Sequence, residues 1–139
     1  EILRSFLDSL FTRYQEIAGA DMSATETLRE LVVTSFESIG AQRNAVAIYQ
    51  DEAKHLAGQE RFTYINERNV EFRELWHSVL ARGAADGEFR SDLDIELVYR
   101  FLRDTVWVAV RWYRPGGSLS VDDIAKQYLS IVLDGILPC

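Results

Sequence analysis

The stretch DIELVYRFLRDTVWVAVRWYRPGG, residues 94–117, decides the fold. Its pattern predicts a helix from about Asp94 to Arg114, apolar nearly all round, which Pro115-Gly116-Gly117 breaks decisively. A helix apolar on every side must be covered on every side. In a domain this small, the outer face is expected to meet a second copy of the chain. The alternative is a monomer in which this helix is fully central.

Outward from that helix, the same three- and four-residue spacing recurs. Upstream, Phe62, Ile65, Phe72, Leu75, Trp76, Val79 and Leu80 mark one side of a long helix from about Glu60 to Arg82, closed by Gly83 and Gly87. A shorter segment runs from about Asn44 to Ala57 and ends at Gly58. Ser23-Ala24-Thr25-Glu26 reads as a capping box, opening a helix that buries Leu28, Leu31, Val32, Phe36 and Ile39 and stops near Gly40. Ile2 to Ala18 forms the first helix, with Phe6, Leu7, Leu10, Phe11, Tyr14 and Ile17 on its stripe and Gly19 at its end. Downstream, Ser120 with Asp123 caps a last helix whose stripe is Val121, Ile124, Ala125, Tyr128, Leu129, Val132 and Ile136. The expectation is an all-α domain of about six helices spanning residues 1–139, with no strand pattern, repeat or low-complexity tract.

Bulk properties narrow the function. A chain of 139 residues that is 47% hydrophobic and 27% charged can build one core. The net charge of −7 repels phosphate backbones, so this chain is not expected to hold DNA unaided. The single cysteine, Cys139, excludes an internal disulfide framework and fits a reducing, cytoplasmic setting. No apolar run approaches the roughly 20 residues of a membrane span. The chain enters an amphipathic pattern at once from Glu1, without a methionine or a cap. That suggests a fragment whose N-terminal portion is absent.

On a wheel of about 100° per residue, Arg100, Arg103, Trp107, Arg111 and Arg114 fall within about a quarter of the fifth helix. Guanidinium groups offer forked donors to phosphate and carboxylate and stack on aromatic faces. The stripe could receive an elongated ligand with anionic and flat parts, or pair with the chain's surplus carboxylates. Arg103 and Trp107 lie nearest the apolar arc and are the leading ligand candidates. On the fourth helix, Asn69 falls inside the apolar stripe, beside Phe72, Arg73 and Trp76. A buried asparagine needs partners, which the protein or a ligand could supply. On the third, Tyr49 is a further lining candidate and Glu52 a carboxylate partner for an arginine.

Two Glu-x-x-His motifs, Glu52 to His55 and Glu74 to His77, raise a di-metal site of the ferritin type. Antiparallel helices would hold them roughly 20 Å apart in level, so no metal site is expected. There is no phosphate-binding glycine loop, no Cys-x-x-Cys pair and no evident nucleophile beside either histidine, both of which read as surface side chains. An enzyme is not expected.

The join Leu80-Ala81-Arg82-Gly83-Ala84-Ala85-Asp86-Gly87-Glu88-Phe89-Arg90-Ser91-Asp92-Leu93-Asp94, followed by the run from Tyr99 to Gly117, resembles the regulatory domain of TetR-family repressors. Within that family it is similar to repressors of late, ring-opening cholesterol catabolism. The resemblance covers essentially the whole chain. It implies an N-terminal helix-turn-helix reader of operator DNA outside this chain, and a homodimer built by the last two helices in a four-helix seam. It also implies an acyl-coenzyme A effector carrying a steroid ring remnant, whose binding releases the operator, and ligand-critical roles for Arg103 and Trp107. A sensor of generic fatty acyl-CoA and a dimerisation module without ligand are the alternatives. No bound cofactor is implied.

Overall fold

The computed structural model describes residues 2–42, 44–46, 60–114 and 116–138. Among them the regular structure is helical: α1 Ile2–Gly19, α2 Ala24–Ala41, α3 Glu60–Ala85, α4 Ile95–Trp107, a 3₁₀ turn Val108–Arg111, and α5 Val121–Ile136. Residues 44–46 are also helical, with Ala45 and Val46 buried at the expected third segment. The rest of that segment, including Tyr49, Glu52 and His55, lies outside the described residues.

The caps explain where the helices begin. Ser120 accepts from the Asp123 N–H while the Asp123 carboxylate accepts from the Ser120 N–H, a complete capping box. Asp94 caps α4 by accepting from Leu97 N at 3.0 Å. At α2 only half of the expected box forms. Ser23 accepts from Glu26 N, but the Glu26 side chain turns to Arg29. The next free donors, Ala24 N and Thr25 N, go instead to the two carboxylate oxygens of Glu88, each at 3.0 Å.

Two boundaries differ from the sequence reading. The long helix does not stop at Gly83 but runs through it to Ala85. Gly83 is needed for space rather than for a turn: a Cβ there would lie 2.2 Å from Phe89 Cδ2. The stop belongs to Gly87, whose φ of +81° lies where side chains are strained. The fifth segment, read as one helix to Arg114, is α-helical only to Trp107 and then tightens into the 3₁₀ turn. At about 120° rather than 100° per residue, those four residues carry Arg111 and Arg114 off the line set by Arg100 and Arg103.

α2 packs against every other helix of the bundle and most extensively against α5. Leu28, Leu31, Val32 and Ile39 of α2 are essentially inaccessible, joined by Leu7 of α1, Leu80 of α3 and Val106 of α4. The segment after α3 knits the ends together. Besides the Glu88 contacts, Arg90 N donates to Ile136 O at 2.7 Å and Arg90 Nη1 to Gly135 O at 3.0 Å, satisfying carbonyls at the end of α5.

Candidate functional site

α1, α3 and α4 meet along an aromatic seam. Tyr14 of α1 packs edge-to-face on Phe72 and Trp76 of α3, with centroids 5.5 and 5.7 Å apart. Phe11 meets Phe72 in the same way, and Phe6 sets its ring at 88° to Trp107, 6.4 Å away. Such pairs contribute about 0.5–1.5 kcal/mol each beyond the area they bury. The Tyr14 hydroxyl is held by Ser35 of α2 at 2.5 Å. These rings arise from helical stripes: positions 6, 10 and 14 on α1, and 72, 76 and 79 on α3, each share one face.

The seam does not close completely. A cleft lined by Tyr14, Phe72, Trp76, Tyr99, Leu102, Arg103, Val106 and Trp107 has an empty volume of about 350 Å³, of which about 20 Å³ accepts the centre of a water molecule. It is a slit with room for little more than a water. Four of the seven side chains proposed from sequence line it: Arg103, Trp107, Phe72 and Trp76. Trp107 is buried, whereas the Arg103 side chain is 43% exposed at the rim. Arg103 Nε donates to Asp104 at 2.9 Å, and its guanidinium lies 5.6 Å from the centre of the Tyr99 ring. Asn69 is half-buried on α3 and does not line the cleft. Tyr49 lies outside the described residues.

The cationic stripe is therefore not one continuous surface. Trp107 turns inward, Arg103 stands on the rim, Arg100 is exposed outside the cleft, and Arg111, at the end of the 3₁₀ turn, and Arg114, beyond it, are exposed too. The carboxylate-pairing alternative holds for part of it. Arg73 Nε and Arg100 Nε both donate to Glu96, at 2.8 and 3.1 Å, and His77 Nε2 lies 2.7 Å from the same carboxylate. Arg73 thus stands outside the cleft. His77, read from sequence as a surface side chain, is half-buried, with its ring edge on Tyr99 at 5.5 Å. The hydrogen bond from Arg73, with those from His77 and Arg100, holds the Glu96 carboxyl down from 4.5 to about 2. Burial pushes the Tyr99 hydroxyl up.

Tyr14, Tyr99, Leu102 and Val106 line the cleft without having been singled out in the sequence. Each sits on an apolar stripe, and a stripe marks the buried face without marking which members border a gap. Among the described residues no group of three or more His, Cys, Asp and Glu is placed to hold a metal ion, and no helix is long and apolar enough to cross a membrane.

Large apolar side chains also stand in the open. On α4, Leu97 and Phe101 share a face, with Phe101 62% exposed. Val108 and Trp112 follow, and Leu119 precedes α5, on which Ile131 is 73% exposed.

Comparison with known proteins gives concordant matches. Residues 21–136 match the family described as tetracyclin repressor-like, C-terminal domain. The HTH-type transcriptional repressor KstR2 of Rhodococcus jostii is 65% identical over 136 residues, covering 98% of this chain and 67% of the relative. The structure of the ketosteroid transcriptional regulator KstR2 of Mycobacterium tuberculosis superposes with a TM-score of 0.94 at 52% identity, covering 99% of this chain and 70% of that one. AibR, solved in complex with isovaleryl coenzyme A and operator DNA, shares the fold with a TM-score of 0.75 at 15% identity, covering 93% of this chain and 71% of its own.

Proposed function

From the premise that this chain belongs to the tetracyclin repressor-like C-terminal domain family of TetR-type transcriptional repressors, we propose that it is the effector-sensing and dimerisation domain of a repressor of steroid breakdown. The relatives are repressors rather than enzymes, and the M. tuberculosis one is described as a ketosteroid regulator. The proposed effector is a coenzyme A thioester of a steroid ring remnant. Its binding would release operator DNA from a helix-turn-helix domain outside this chain.

The observation that carries this reading is the aromatic cleft with Arg103 at its rim and Trp107 in its wall. A slit of this size cannot hold a ligand that needs several hundred Å³, so binding requires α3 and α4 to part. That requirement supplies the differential affinity a switch needs: the closed arrangement excludes the ligand and the open one admits it. The signal has a short way to travel. α1 contributes Tyr14 to the cleft wall and rests Phe6 on Trp107, so a ligand that displaces these rings displaces α1. In this reading α1 is the lever toward the DNA reader.

The exposed row of Leu97, Phe101, Val108, Trp112 and Ile131 supports a homodimer seam built from α4 and α5. The tightness of the cleft favours one competing reading, a dimerisation module with no ligand. Calorimetry separates them. Arg103→Met and Trp107→Leu should keep their helical content and dimerisation and lose at least about tenfold in affinity for the coenzyme A ester, roughly 1.4 kcal/mol. Unchanged affinity in both variants removes the proposed site. Failure of the unaltered chain to bind steroid-derived or fatty acyl-CoA esters favours the ligand-free module.

A further inference from the structure

Tyr14 of α1 is held at its two ends by different helices. Its ring packs edge-to-face on Phe72 and Trp76 of α3, whereas its hydroxyl meets Ser35 of α2 at 2.5 Å. Counting protons fixes the direction of that bond. The Ser35 hydroxyl already donates to Leu31 O at 2.8 Å, so Tyr14 donates and Ser35 accepts. With Tyr14 at 1% exposure and Ser35 at 0%, solvent cannot replace either partner while the seam is closed.

The attachments of α1 to its two neighbours differ in kind. Toward α3, the Tyr14 contacts are joined by Phe11 on Phe72 and by the Arg68 guanidinium, 4.7 Å from the centre of the Phe11 ring. Arg68 also pairs with Asp8 at 2.6 Å, and its side chain is only 17% exposed. Toward α2, Arg13 meets Glu37 in an exposed pair of the kind that contributes little. Apolar packing between the two helices is non-directional and sets no register. The Tyr14–Ser35 bond does set one. When α3 moves away from α4, α1 travels with α3 across α2, and that bond has to break.

We propose that the Tyr14 hydroxyl on Ser35 is the catch that holds α1 in the closed arrangement, so that these two positioning residues set how readily the cleft opens; this rests on the cleft being the effector site. Release is reversible, because Ser35 keeps its own bond to Leu31 O. The loss falls on the Tyr14 hydroxyl, to which an opened cleft offers water. A binding-competent state that is rarely populated lowers apparent affinity in proportion to its rarity, so loosening the catch tightens binding.

Two hydroxyl deletions, Tyr14→Phe and Ser35→Ala, test this without ligand and with it. The ligand-free readout is thiol labelling of Val106→Cys, a buried cleft position, in a Cys139→Ser background; its rate follows the population of open chains. Leu28→Cys in the same background, inaccessible on α2, reports global unfolding. Each deletion is expected to speed labelling at position 106 several-fold more than at position 28. Each should tighten binding of the steroid-derived coenzyme A ester by the same factor. Combined, they should do no more than the larger single effect. An unchanged rate at position 106, equal acceleration at position 28, or effects that multiply in the double variant overturns the catch. So does an ester bound with unaltered affinity by variants that label faster. Should one variant fail to fold, the other decides on both readouts. The effector reading fails separately: labelling then follows these expectations, while neither the unaltered chain nor the variants bind steroid-derived or fatty acyl-CoA esters.

Discussion

At Gly83 the backbone of α3 lies directly beneath the ring of Phe89, which is 1% exposed. An added methyl would overlap three ring carbons, so Phe89 must leave its place or the helix must bend. Gly83→Ala is expected to lower stability by about 1–2 kcal/mol, an overpacking cost of about 1–3 kcal/mol offset in part by better helix propensity. A lower urea midpoint at unchanged slope would show it; an unchanged midpoint would mean the ring repositions freely. The carboxylates at this scale set the acid behaviour. Hydrogen bonds from Arg73, His77 and Arg100 lower the Glu96 carboxyl, and the Thr25 N–H lowers that of Glu88. For both, the folded chain binds protons less readily than the unfolded one. Their contribution is therefore present above the unfolded value and lost as pH falls through the folded one. For Glu96 that window runs from 4.5 down to about 2. Urea midpoints across it should fall less steeply in Glu96→Gln than in the unaltered chain; identical slopes would contradict the assignment.

The elements differ in how much of them the sequence discloses. Caps are local, formed between residues three apart: Ser23 and Ser120 accept the bonds their positions suggest, and Asp94, read as the first residue of its helix, is its cap instead. The end of α4 is not local in this sense. The change from α to 3₁₀ at Val108 involves no proline or glycine, so a wheel drawn through to Arg114 misplaces Arg111 and Arg114. The Glu96 cluster was invisible for a related reason. Arg73 and His77 lie 23 and 19 residues before Glu96, and only the packing of α3 on α4 brings them together. Arg103 and Trp107, by contrast, are one turn apart on one helix; the spacing set them side by side, the family resemblance supplied the ligand role, and both line the cleft. The exposed apolar row makes a prediction at this scale. Phe101→Glu or Ile131→Glu would place an unpaired charge in the seam and weaken dimerisation by about 2–4 kcal/mol. Sedimentation should then report a folded monomer; an undisturbed dimer would place the seam elsewhere.

For the whole molecule, the arrangement separates two duties. α2 is the inert centre, with Leu28, Leu31, Val32 and Thr27 inaccessible to solvent. Around it, α1, α3 and α4 enclose the cleft, while α4 and α5 carry the exposed apolar row. α4 is common to both and binds α5 through Thr105, whose hydroxyl lies 2.7 Å from that of Tyr128. Burial, with that bond acting against it, pushes the Tyr128 hydroxyl up to about 12. The net charge of −7 disfavours direct contact between this part of the proposed repressor and DNA phosphates.

The five residues from Asp86 to Arg90 act as a keystone. One short span reaches the start of α2 through Glu88 and the finish of α5 through Arg90, with Phe89 wedged between. Damage there, by a nick or a bulky insertion, would free two distant helix ends at once. Subunit pairing would then loosen although no seam residue had been touched.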